Sequence, residues 1–256
     1  QPHTEKIKTS FKELKYQYNL PKNFSVSVQQ ESELCVLNHQ EIGYRKGMPI
    51  IYTVDGEDSV ELDDGFSCQK IDDFYRVGIH ITHPLAYLSI DSLLLKEATK
   101  RCVTIYTDPP ILMFPKCLAQ GLFNLCENHV QRVFSIYVDI STTSFDLIRY
   151  TVQLENAFVG KNDTYKHCSE ILKTEKDDPI YVSTLHYLTE LKPFFEKYLH
   201  IDKIYASLNR TSSNVSNTNI IGVSTAEKIV ESLMVFANYL LAKIAYHHSF
   251  PFLYRN

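Results

Sequence analysis

Six carboxylates crowd into ten residues between Asp55 and Asp64, in the segment Thr53-Val54-Asp55-Gly56-Glu57-Asp58-Ser59-Val60-Glu61-Leu62-Asp63-Asp64-Gly65. Acids packed this closely repel one another unless a cation sits among them, and hard oxygen ligands suit Mg²⁺, with Mn²⁺ as a substitute. A divalent ion in such a cluster orients a water, lowers its pKa and stabilises charge on phosphate oxygens, so phosphoryl transfer is the chemistry implied. In an extended Glu61-Leu62-Asp63, the two acids point the same way, Leu62 faces a core, and Asp64 approaches from the other side. A solvated acidic loop is the bland alternative. Two features weigh against it: apolar strands flank the run, and Gly65 permits a tight backbone at its end. A calcium loop fits the alternation Asp55, Glu57, Ser59, Glu61, but Val60 stands where that loop needs Gly and Phe66 where it needs Glu.

The elements that must hold these acids follow from hydrophobic patterning. IIYTV after Pro49 predicts a buried strand, and FSCQKI with FYRVGIHIT predicts a strand pair turning at Asp72-Asp73. Asp91 is the expected N-cap of a short helix in SLLLKEATKRC, followed by strand character in VTIY and an irregular turn at Pro109-Pro110. RVFSIYVDI and FDLIRYTVQL predict a hairpin around Ser141-Thr142-Thr143. Residues 179–199 and 225–248 carry the two longest helical patterns, and 5–18 an amphipathic helix built on Ile7, Phe11, Leu14 and Tyr18, ended by Pro21. Between the two long helical patterns, NRTSSNVSNTN marks a polar insert near 207–223. Strands first and long helices later predict an α+β fold.

Composition limits the function classes. The net charge of −4 argues against holding nucleic acid on a broad basic surface, so any RNA contact belongs in a groove. Seventeen Tyr and fourteen Phe supply flat faces on which bases can stack. The six cysteines form no C-x-x-C pair and are expected to be buried free thiols, and the Asn209 and Asn214 sequons in the polar run carry little weight. No run reaches the ~18 consecutive apolar residues of a membrane span, so no membrane partner is expected. The chain starts at Gln1, which leaves room for a targeting segment or domains upstream.

The motif order resembles the ribonuclease II (RNB) family, whose active site runs T-x-D, a short spacer, then D-x-D-D. Thr53-Val54-Asp55 and Glu61-Leu62-Asp63-Asp64 match it, followed by GIHITHPLAYL, EATKRCVTIY, Met113-Phe114-Pro115, LFNLCENHVQRVFSI and IVESLMVFANYLLAKIAYHHSFPFLYR. The resemblance implies a mixed, mainly antiparallel curved sheet flanked by helices over 46–256, behind a helical lead-in at 1–45. It implies a 3′ to 5′ exoribonuclease releasing nucleoside 5′-monophosphates from single-stranded RNA, with Asp55, Glu61, Asp63 and Asp64 as metal-binding acids and Asp64 foremost in the chemistry. Tyr106 falls where an aromatic ring clamps a base, Tyr165 where a tyrosine packs on the terminal nucleotide, and Glu231 where an acid contacts sugars. Asn238 matches a position within the apolar stripe of the last helix, where a buried, hydrogen-bonded structural amide explains it as well as a contact with substrate does. A helicase or degradation complex is the implied protein partner, and a cytoplasmic or mitochondrial setting the implied location. Three departures stand out: Glu61 replaces an Asp, His83 replaces the acid of I-A-D-P, and the sequence ends before the T-S-P-I-R-R-Y motif and its charge-stabilising arginine. These motivate the alternative of a catalytically inactive RNB-like subunit for RNA binding or complex assembly.

Overall fold

The computed structural model describes residues 23–106, 109–199 and 224–251. The predicted helix over 5–18 and the polar insert near 207–223, with its two sequons, lie outside the described residues. The chain forms two compact units, one from 1–41 with 83–124 and the other from 42–82 with 125–256.

The second unit is built on β1 (Ile50–Asp55), β2 (Asp64–Ile71), β3 (Phe74–Thr82), β4 (Val130–Ser141) and β5 (Leu147–Thr164). Successive strands pair antiparallel, and the sheet curves until β5 meets β1 and closes a barrel. Five alternating strands leave the first and last running the same way, so the closing seam between β1 and β5 is parallel. Asp72 supplies the positive φ that the tight β2/β3 turn requires.

Both faces of β3 are buried. Tyr75, Val77 and Ile79 join a core with Phe66, Cys68, Ile136 and Val138 and with the helices, while Gly78 and His80 face the opposite side. There His80 bonds to Ser67 Oγ at 2.9 Å and Ser135 Oγ at 2.8 Å. Full burial pushes this imidazole down to about 3, so it is a neutral, satisfied spacer. A Cβ at Gly78 would stand 2.4 Å from both His80 Nε2 and Ser67 Oγ, which explains the missing side chain.

Helix α3 (Tyr165–Thr174) follows β5 directly, capped by Thr164. Helix α4 (Pro179–Glu190), capped by Asp178, packs on β2, and α5 (Lys192–Leu199) continues from it. The single helix expected over 179–199 is broken at Leu191, because Pro193 lacks the N–H that would bond Thr189. Helix α6 (Thr225–His247) starts in a capping box between Ser224 and Glu227. It is long and apolar enough to cross a bilayer by length and composition, yet Ile229, Leu233, Phe236, Ala237 and Leu240 lie in the core. Asn238, expected in that stripe, is exposed instead.

The first unit holds α1 (Val26–Leu37) and α2 (Leu93–Arg101) around Val28, Leu94, Leu118, Leu122 and Phe123. The cap of α2 is Ser92, whose hydroxyl accepts from Leu95 N at 3.1 Å, not Asp91. VTIY forms only an isolated bridge, Ile105 to Ile111, too short for a strand. Of the six free cysteines only Cys68 and Cys168 are buried, and Cys102 and Cys117 are exposed.

Candidate active site

The acids gather where β1 ends and β2 begins. Asp55 closes β1, Asp64 opens β2, and the acidic loop spans the interval. The extended Glu61-Leu62-Asp63 expected from the sequence forms no strand. Instead its backbone is pinned: Leu125 N donates to Leu62 O and Thr82 N to Asp63 O, both at 2.8 Å. These bonds aim Asp63 and Asp64 from a fixed base while leaving Glu61 half-buried on the loop.

Electrostatics show which acids the fold brings together. Burial and then Asp63 push the Asp55 carboxyl up to about 6. Burial, Asp63 and Asp55 push Asp64 up to about 7. Asp63 is also raised by desolvation, against a backbone hydrogen bond that lowers it. Three carboxylates held in mutual repulsion fit a hard divalent cation by donor chemistry and charge. Among the described residues, however, no three His, Cys, Asp or Glu side chains converge into a closed ligand set.

The parallel seam adds the tyrosine. Its register sets Asp55 beside Thr164, so the next residue, Tyr165, starts α3 next to the acids. The Tyr165 phenol is pushed up to about 12 by burial, then by Asp55, Asp64, Glu227 and Glu231. Tyr165 therefore lies in electrostatic range of Asp55, Asp64 and Glu231, and desolvation raises the Glu231 carboxyl. Tyr106 belongs to the other compact unit, where it is exposed beside the Ile105 bridge.

Sequence reasoning missed the groups that fix this junction. Asp163, 8% exposed, accepts from Thr164 N and His167 Nδ1 at 2.7 Å and from the Tyr181 hydroxyl at 2.9 Å. Asn162 donates to the buried Thr53 Oγ1 and to Leu125 O, both at 2.8 Å, tying the T-x-D strand to the segment that holds Leu62. Asn162 had no local signal, since it acts across the seam, whereas Asp163 joins the start of α3 to Tyr181 on α4. Glu227 did have one, in the S-x-x-E capping pattern at Ser224.

Known proteins share this arrangement of chain. The RNB domain model matches residues 45–256. Ribonuclease R of Thermotoga maritima is 28% identical over 221 residues, covering 80% of this chain and 31% of that protein, so the chain spans about a third of that relative. In fold, it is similar to Mycoplasma genitalium RNase R solved with ribose-methylated single-stranded RNA, at a TM-score of 0.72 and 14% identity over 93% of this chain and 39% of that one. It is also similar to yeast Ssd1, described as a pseudonuclease, at a TM-score of 0.61 and 10% identity over 90% of this chain and 28% of that one. With four-fifths of its length matched by the domain model and the acids, seam and barrel in place, the chain belongs to the RNB domain family.

Proposed function

We propose that the protein is a 3′ to 5′ exoribonuclease that hydrolyses single-stranded RNA to nucleoside 5′-monophosphates with Mg²⁺. The observation that carries this reading is the electrostatic coupling of Asp55, Asp63 and Asp64 beside the Tyr165 phenol. Asp55, Asp63 and Asp64, with Glu61 on the same loop, would hold Mg²⁺ or Mn²⁺. Such an ion, when bound, polarises the scissile phosphate and supplies a more acidic water. Without it, burial and like charge hold Asp64 near its midpoint at neutral pH and keep Asp55 protonated only below about 6.

Tyr165 offers its ring to the terminal nucleotide, and Glu231 offers an acceptor to sugar hydroxyls on the same side. Tyr106 is assigned to base clamping by family position. RNA itself, a helicase or degradation complex, and a cytoplasmic or mitochondrial setting belong to the same proposal.

A second reading, an inactive RNB-like RNA-binding or assembly subunit, is favoured by His83 in place of an acid and by the fold likeness to a pseudonuclease. The test is Mg²⁺-dependent shortening of a 5′-labelled single-stranded RNA by the natural full-length protein and by Asp64→Asn. Laddering from the 3′ end that disappears in the variant supports the enzyme. RNA binding without cleavage in either protein supports the inactive subunit.

A further inference from the structure

Strand β5 is 18 residues long and changes partner along its length, with Phe158 in register with both β4 and β1. Among the described residues β1 joins it from Phe158 onward, and Leu147 to Ala157 pair with β4 alone. Phe158 N is turned away from β4 and donates to Pro49 O at 2.9 Å. By the period of two, the N–H and C=O groups of Leu154, Val152 and Tyr150 turn to that same unpaired edge. The edge borders a cavity of about 740 Å³, lined from β5 by Arg149, Tyr150, Thr151, Gln153 and Glu155.

The side chains on this stretch are not those of a protected edge. Ile148, Tyr150, Val152 and Leu154 alternate along one face and are 54%, 41%, 38% and 62% exposed. By register Tyr150, Val152 and Leu154 continue the face that carries Ile136 and Val138 on β4, which the helices cover, while Ile148 sits at the bulge. No Pro or Lys interrupts the run from Leu147 to Asn156. An open, apolar edge of this length is a template for another strand.

Arg149-Tyr150-Thr151-Val152-Gln153-Leu154-Glu155 is complementary to itself when read antiparallel about Val152. In that register Arg149 faces Glu155, Tyr150 faces Leu154, Thr151 faces Gln153, and Val152 faces its own copy. The outward backbone groups of Val152 make this central pair a hydrogen-bonded one, with Tyr150 and Leu154 the next. Arg149 and Glu155 then fall at a non-hydrogen-bonded pair, where side chains stand closer. We propose that β5 is a homodimerisation edge, pairing antiparallel with β5 of a second copy about a twofold axis through Val152. The contact is isologous and closes at two copies, with two Arg149 to Glu155 pairs flanking a shared apolar row.

The test is the mass of the natural full-length protein by sedimentation velocity over a concentration series, independent of any activity. The expected result is twice the monomer mass. Val152→Lys places two like charges directly opposite at the axis and should return the monomer. Arg149→Glu and Glu155→Arg should each weaken the dimer, and the double swap should restore it. Arg149 is largely exposed and Asp139 keeps Arg76, whereas Glu155 also accepts from the Tyr137 hydroxyl and from Gln153, so circular dichroism of each swap first verifies the native fold. A wild-type monomer at every concentration overturns the proposal, whether another segment or nothing covers the edge. So does a dimer that is indifferent to Val152→Lys, or a double swap that restores nothing.

Discussion

At the scale of single residues, Asp64 carries the largest electrostatic cost of the site, and the sign of that cost is measurable. Its folded-state pKa of about 7 lies above the ordinary 3.8, so the fold favours the protonated acid. The stability this contributes is complete below the ordinary carboxylate range and is lost as pH rises through about 7. Asp55, at about 6, adds a loss of the same sign slightly earlier. These acids therefore lower the melting temperature of metal-free protein as pH rises from about 4 to above 7, against an opposite contribution from His80, whose lowered pKa favours the fold as pH rises toward 6.5. Asp64→Asn, which stays neutral, should flatten that decline and melt higher than wild type at the alkaline end. Thermal melts in chelator across this range check both, and a gap between wild type and Asp64→Asn that does not grow with pH would contradict the raised pKa of Asp64.

At the scale of elements, the seam between β1 and β5 and the start of α3 form one mechanical joint. Asp163→Ala removes the acceptor shared by Thr164 N, His167 and the Tyr181 hydroxyl. Leaving a buried donor unsatisfied costs about 1–3 kcal/mol, to be read from urea unfolding. Because Tyr165 stands two residues on, the same change should weaken binding of an RNA 3′ end. In a Tyr165→Ala background, already about 1–3 kcal/mol weaker through lost stacking, Asp163→Ala should add little further.

The elements differ in how far the sequence announced them. IIYTV, FSCQKI and FYRVGIHIT became β1, β2 and β3 because their apolar residues alternate or run continuously. Helix α1 gave no such signal: Val26, Leu34, Val36 and Leu37 are all exposed, so its apolar residues form no stripe. Adjacent Asp91 and Ser92 are equally competent caps, and only the backbone decides for Ser92. The acids, Tyr165 and Glu231 were legible as a motif. Their convergence was not, since it rests on a parallel register that no local pattern encodes.

At the scale of the whole molecule, a net charge of −4 means that a bound divalent cation relieves both the local repulsion and part of the global one. Mg²⁺ should raise the melting temperature of wild type more above pH 7 than near pH 5, where Asp55 and Asp64 are largely protonated. At about 100 times the dissociation constant the stabilisation is about 2.7 kcal/mol. Replacing Asp55 and Asp64 together by Asn should abolish it. Calorimetry with and without the ion distinguishes the cases, and equal stabilisation of the double variant would place the ion elsewhere.

The parallel closure of the barrel also governs when the site can exist. Asn162 reaches Thr53 across 109 residues of chain, and Asp55 meets Thr164 in the same seam. Loop-closure entropy favours the local hairpins of β2/β3 and β4/β5 over so long-range a contact, so the seam is expected to close after them. On a ribosome the T-x-D strand is synthesised well before its seam partner, so a nascent chain carries the acids without the tyrosine. A half-made protein then holds the carboxylates of β1 apart from the groups that converge on them in the finished fold.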